Sequence, residues 1–223
     1  PESQNPTQEQ AQYVIRLYSE GNLNEAAEHI SELLQRYPNS SFLFNILGAT
    51  QVGLGQLDAA IHSYRQALAI EPRDAKTHFN LGIALSESDD TGAAIACYRQ
   101  ALQIAPNYAA AYINMGNALR DEGNLVQAIE SYKQALRIEP DYPEVYCNLG
   151  NALREQGNLD SALGCYQQAL QIKPDYAEAF NNRGSALKDK GELSEARASY
   201  EQALQIYPDY IAPAWNMAGT SET

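Results

Sequence analysis

Residues 109–142 read AAAYINMGNALRDEGNLVQAIESYKQALRIEPDY, and this stretch decides the fold. Tyr112, Met115, Gly116 and Leu119 recur at i, i+3, i+4 and i+7, which is one face of a helix. Gly123-Asn124 breaks that pattern, and Leu125, Ala128, Ile129, Tyr132, Ala135, Leu136 and Ile138 resume a helical spacing that Pro140 ends. The stretch therefore predicts two helices joined by a tight turn.

The same pattern recurs on both sides. Pro38, Pro72, Pro106, Pro140, Pro174 and Pro208 are each 34 residues apart. With proline at repeat position 32, the units are 7–40, 41–74, 75–108, 109–142, 143–176 and 177–210. Residues 211–218 start a seventh unit or cap, in which Trp215 and Asn216 open a helix that Gly219 stops, and 219–223 are a polar tail. Position 8 is Gly48, Gly82, Gly116, Gly150 and Gly184, and position 24 is Tyr64, Tyr98, Tyr132, Tyr166 and Tyr200. Alanine holds position 20 in all units, as in Ala26 and Ala128. A fixed period of this length marks a solenoid in which each unit packs on its neighbours. The expected architecture is one all-α domain over residues 1–218, with position-24 tyrosines in the core and position-8 glycines where helices approach closely.

The turns carry their own signals. Gly21, Gly55, Gly123, Gly157 and Gly191 suit the left-handed conformation after a helix end. Asp89 stands in that place in unit 3, so that turn is expected to be a weak point. Capping boxes are expected at Asn22 with Glu25, Asn124 with Gln127, Asp141 with Glu144, and Asp175 with Glu178. Tyr108, Tyr142, Tyr176 and Tyr210 are expected to staple the chain as it enters the next helix.

A 34-residue helix–turn–helix with these small, aromatic and proline positions resembles the tetratricopeptide repeat. Tyr146-Cys147-Asn148-Leu149-Gly150-Asn151-Ala152-Leu153-Arg154-Glu155-Gln156-Gly157 is most similar to the repeats that precede the catalytic region of O-linked N-acetylglucosamine transferases, and to bacterial arrays of that type. The resemblance implies a right-handed superhelix whose first helices line an inner groove. It also implies that asparagines at position 6 hold an extended peptide by its backbone.

Position 6 here is Asn80, Asn114, Asn148, Asn182 and Asn216, with Gln12 and Ile46 in units 1 and 2. Asn117 and Asn151 add a second row at position 9. A primary amide donates and accepts, so a row of them can follow a polypeptide backbone. The competing use is a bridge between neighbouring helices, and the two are compatible. The groove positions implied by the resemblance are apolar at the N-terminal end, with Phe42, Ile46, Phe79 and Ile83. They become amide-rich further on, beside a basic row of Arg120, Arg154 and Lys188, and Cys147 and Asn181 also fall among them.

Composition narrows the function. Net charge is −13 over 223 residues, which argues against nucleic acid and anionic membranes as partners. No apolar run reaches the length of a membrane span. Cys97, Cys147 and Cys165 are scattered and odd in number, which points to free thiols and a reducing, cytoplasmic setting without a targeting segment. The chain begins with Pro1, so it is expected to be part of a longer protein. His29, His62 and His78 lie in different units, so no metal site, cofactor site or catalytic triad is expected. Gly53-Leu54-Gly55 lacks the rest of a phosphate loop and reads as a turn. The sequence thus predicts a non-catalytic scaffold for an extended protein segment. The alternatives are a substrate-presenting arm of a transferase and a self-assembling homo-oligomer.

Overall fold

The computed structural model describes residues 5–210 together with 213, 216 and 217. Trp215 and the tail from Gly219, where the sequence predicts the closing helix and its stop, lie outside the described residues. Among those residues there are twelve helices and no strands. They are α1 (Gln8–Ser19), α2 (Leu23–Arg36), α3 (Ser41–Gly53), α4 (Leu57–Ile70), α5 (Ala75–Glu87), α6 (Thr91–Ile104), α7 (Ala109–Asp121), α8 (Leu125–Ile138), α9 (Pro143–Glu155), α10 (Leu159–Ile172), α11 (Ala177–Lys190) and α12 (Leu193–Ile206). Each repeat read from the sequence supplies one helix pair, and the architecture is an all-α solenoid of six pairs.

The chain divides into two compact units, Pro1–Asn114 and Met115–Thr223. In the first, α1 packs on α2, α2 on α3, α3 on α4, α4 on α5 and α5 on α6. In the second, α8 packs on α9, α9 on α10, α10 on α11 and α11 on α12. Contacts thus run mainly between neighbours in sequence, as expected when each repeat buries its apolar face on the next.

The core of the last five pairs is a tyrosine seated against a glycine, and the first pair has Ile30 and Val14 in those places. Tyr98, Tyr132, Tyr166 and Tyr200 are at most 1% exposed. A Cβ built on Gly82, Gly116, Gly150 or Gly184 would stand 2.5–2.6 Å from the Cε1 of that ring. Position 8 is therefore glycine because the aromatic ring occupies the volume of its side chain, a more specific reason than close backbones. Burying a large side chain of this kind contributes about 1.5–3 kcal/mol. The alanines of position 20, such as Ala128 and Ala162, are fully buried.

The turn signals are realised. Gly21, Gly55, Gly123, Gly157 and Gly191 have φ between +72° and +88°, and Asp89 has φ +63°. The Gly53-Leu54-Gly55 segment is such a turn between α3 and α4. Four helix starts depart from or only partly meet expectation. Tyr142 and Tyr176 are the N-cap residues of α9 and α11, and neither helix has a side-chain cap bond. Asp141 and Asp175 therefore stand one residue outside the cap, and their boxes with Glu144 and Glu178 do not form. Asn22 is an N-cap, but with ψ 55° its side chain turns to Glu20 instead. Asn124 does accept from the Gln127 N–H, at 3.5 Å. The full reciprocal box sits at Thr7 and Gln10, where the Thr7 N–H donates to Gln10 Oε1 at 2.9 Å.

Candidate peptide-binding groove

In the first unit, α1, α3 and α5 present side chains to a shared groove with a volume of about 880 Å³. Phe42, Ile46, Ile83 and Asn80 line it, as the sequence predicts. The repeat ruler also applies to unit 1. Ile15 and Tyr18, at positions 9 and 12 of that unit, line the groove and are 46% and 42% exposed. Phe79 does not line it: its ring packs on Tyr108 at 4.8 Å and Tyr98 at 6.0 Å between centroids.

The groove has a polar edge. Asn45 Nδ2 donates to Asp74 Oδ2 at 3.4 Å and also to Thr77 Oγ1. Thr77 Oγ1 donates to Asp74 Oδ2 at 2.5 Å. Asn80 Nδ2 donates to Asn45 Oδ1 at 3.3 Å, so this amide is held from the preceding repeat. Asp74 also caps α5 through the Lys76 N–H. One chain of bonds thereby fixes both the helix start and the amide.

Asn114, the last residue of the first unit, donates to the Ala110 carbonyl at 3.0 Å within its own helix.

In the second unit the asparagines do structural work as well. Asn117 Oδ1 accepts from the Tyr132 hydroxyl at 2.7 Å and from Asn148 Nδ2 at 3.3 Å. Asn151 Oδ1 accepts from the Tyr166 hydroxyl at 2.8 Å. Asn181 donates to Asn182 Oδ1 at 3.3 Å, and Asn216 donates to Asn181 Oδ1 at 2.9 Å. The bridging use weighed from the sequence is thus present, most clearly at position 9, where the carbonyl oxygen satisfies a buried phenol. Two groove assignments are corrected: Cys147 is 1% exposed and Asn181 7%, so both face the packed interior.

The basic row is engaged within the protein. Arg120 lies 3.6 Å from Asp121, and Arg154 lies 3.6 Å from Asp189 of the next repeat. Lys188 donates to the Asn216 carbonyl at 3.3 Å. These are surface pairs, each worth at most about 1 kcal/mol.

The titration of buried groups follows from desolvation. Burial pushes Tyr98 and Tyr132 up to about 12 and Cys147 up to about 12. Burial raises Tyr64 as well, with smaller contributions from Tyr18 and Glu87. All three cysteines are free. Among the described residues, no cluster of His, Cys, Asp and Glu is arranged to hold a metal ion. No described helix is long and apolar enough to cross a membrane.

Tetratricopeptide repeat models match residues 52–89, 116–157 and 150–191 in one form, and 75–108 and 177–210 in another. A third form matches 97–130. The chain belongs to the tetratricopeptide repeat family. The comparison with curated proteins finds no match. Among solved structures, MamA is 26% identical with a TM-score of 0.69, covering 71% of this chain and 93% of that one. YrrB, described as a TPR protein with an unusual peptide-binding site, is 19% identical with a TM-score of 0.73 over 85% of this chain and 97% of its own. Pseudomonas aeruginosa pilF is 21% identical with a TM-score of 0.78, covering 94% and 96% of the two chains. At such identities the likeness to YrrB and pilF concerns the fold.

Proposed function

We propose that this tetratricopeptide repeat protein is a non-catalytic scaffold that holds an extended segment of another polypeptide against its first helices. The observation that carries this is the groove of the first unit. Ile15, Tyr18, Phe42, Ile46 and Ile83 offer accessible apolar surface beside the held amide of Asn80. Apolar surface left open to water beside fixed polar groups is the usual make-up of a contact site. A rigid groove of packed helices also lowers the ordering cost of binding to that of the ligand alone. YrrB, described as peptide-binding, gives the reading a precedent on the same fold.

Asn80, Asn114, Asn148, Asn182 and Asn216 are the proposed backbone contacts, one per repeat. Asn117 and Asn151 contribute through the amide protons left over once their oxygens hold tyrosines. Arg120, Arg154 and Lys188 flank that row. The test is capture of partners from the native lysate by wild type, by Ile46→Asp/Ile83→Asp, and by Asn114→Ala/Asn148→Ala/Asn182→Ala. Loss of captured proteins in each variant, read separately for the two units and with helical circular dichroism preserved, is the expected result. Equal capture by all three proteins refutes the assignment of the groove.

A further inference from the structure

The position-24 tyrosines do not all spend their hydroxyls in the same way. Tyr132, Tyr166 and Tyr200 donate to Asn117, Asn151 and Ser185, all at position 9. In units 2 and 3 position 9 is Ala49 and Ile83, which offer no acceptor. Tyr64 is 2% exposed, and among the described residues its hydroxyl has no hydrogen-bond partner. No fully enclosed side-chain polar atom among the described residues lacks a partner. The Tyr64 hydroxyl is therefore the accessible tip of an otherwise enclosed ring, and Tyr64 lines the groove.

A phenol O–H in a groove that Ile46, Ala49, Val52 and Ile83 also line is a donor awaiting an acceptor. Asn80 Nδ2 is turned to Asn45, and its Oδ1 accepts no bond among the described residues. One groove thus holds a donor and an acceptor, the pair that an extended main chain requires. Its charge is also one-sided: among the described residues that line it, Glu71 and Asp74 stand against one cation, Lys76, and Glu87 acts on Tyr64. With a chain of net charge −13, an acidic segment would be repelled.

We propose that the groove takes a segment with an aliphatic side chain next to a lysine or arginine, and that Tyr64 donates to a main-chain carbonyl of that segment. The aliphatic side chain occupies the space between Phe42, Ile46 and Ile83. The basic neighbour faces Glu71 and Asp74. This rests on the groove being a polypeptide site, and it adds which polypeptide and which donor.

The test starts with the intact protein and a positional-scanning library of short peptides, acetylated and amidated at their ends. The peptide with the highest affinity is then titrated by fluorescence anisotropy against wild type, Tyr64→Phe and Tyr132→Phe. Leucine, isoleucine or valine beside lysine or arginine should be enriched. Tyr64→Phe should weaken the selected peptide about 5- to 10-fold, the usual worth of one neutral hydrogen bond. Tyr132→Phe, whose hydroxyl serves Asn117, should not change it. Replacing the accepting amide of the peptide by an ester, a poorer acceptor, should weaken wild type and have little further effect on Tyr64→Phe.

Equal affinity for wild type and Tyr64→Phe would overturn the role of Tyr64 and leave the groove a peptide site. Enrichment of aspartate or glutamate would overturn the proposed partner. Failure of every library member to bind wild type would remove the polypeptide reading itself. Concentration-dependent sedimentation that vanishes in Ile46→Asp would assign the groove to a second copy of the chain and overturn the proposal.

Discussion

Removing one oxygen atom at a time from Tyr64, Tyr132 and Tyr166 should separate hydroxyls that hold the fold from one that does not. Tyr166→Phe deletes a 2.8 Å bond to Asn151 Oδ1 at a ring that is fully buried. A neutral bond of this kind contributes about 1 kcal/mol net, and leaving the Asn151 oxygen without its partner adds a further penalty. Asn151 is only half-buried, so water offsets much of that penalty, and the expected loss is about 1–1.5 kcal/mol. Tyr132→Phe should cost about 1 kcal/mol, since Asn117 keeps the Asn148 amide at 3.3 Å. Tyr64→Phe breaks no bond within the protein and should stay within about 0.5 kcal/mol of wild type. Urea unfolding followed by circular dichroism measures all three, with equal m-values as the condition for comparing them. A repeat array can unfold in stages, so amide exchange in α9 and α10 should localise the Tyr166→Phe effect. If Tyr64→Phe is as unstable as Tyr166→Phe, its hydroxyl has a partner within the fold and the assignment of a free donor fails. If Tyr166→Phe is neutral, position 9 does not hold the tyrosines.

Three further outcomes follow from the packing and the turns. Gly150→Ala places a Cβ 2.6 Å from the Tyr166 ring, so overpacking of about 1–3 kcal/mol should outweigh the roughly 1 kcal/mol gain in helix propensity, and thermal melting should fall. Asp89→Gly relieves the one non-glycine residue at positive φ among the described residues and should raise stability by about 0.5–1 kcal/mol in urea, with groove binding unchanged. In alkali, Tyr132 rises from 10.0 to about 12 and Cys147 from 9.0 to about 12, so the folded state holds these protons more tightly than the unfolded one. Their contribution is full below about pH 9 and is lost between about pH 9 and 12. Thermal melts across that range should show a smaller loss in Cys147→Ala than in wild type.

The periodic features were legible because they are local. Gly123 and Asp89 mark turns that need positive φ whatever surrounds them, and the sequence placed both. The helix pairs followed from spacing alone. The groove was only partly legible: Ile46, Ile83 and Asn80 lie where the repeat ruler puts them, while Ile15 and Tyr18 belong to an irregular first unit whose Val14 and Ile30 hide the repeat. Phe79 shares the ruler position of Asn45 but turns to Tyr98 and Tyr108, because an aromatic ring gains more from packing than from water. The Asp141 and Asp175 boxes failed because the following tyrosines, not the aspartates, occupy the caps.

The sequence by itself determined the repeat, the helix boundaries to within a residue or two, and the identity of the core, since these depend on periodicity and on residues with special backbones. Only the tertiary structure decided how the amides and phenols are shared. Whether Asn117 faces a ligand or a tyrosine depends on which groups meet across two helices. Whether the Tyr64 hydroxyl is left over depends on Ala49, fifteen residues away and one helix across. Hydrogen bonds are satisfied in space rather than along the chain, and so the unspent hydroxyl of Tyr64 became visible only in the fold.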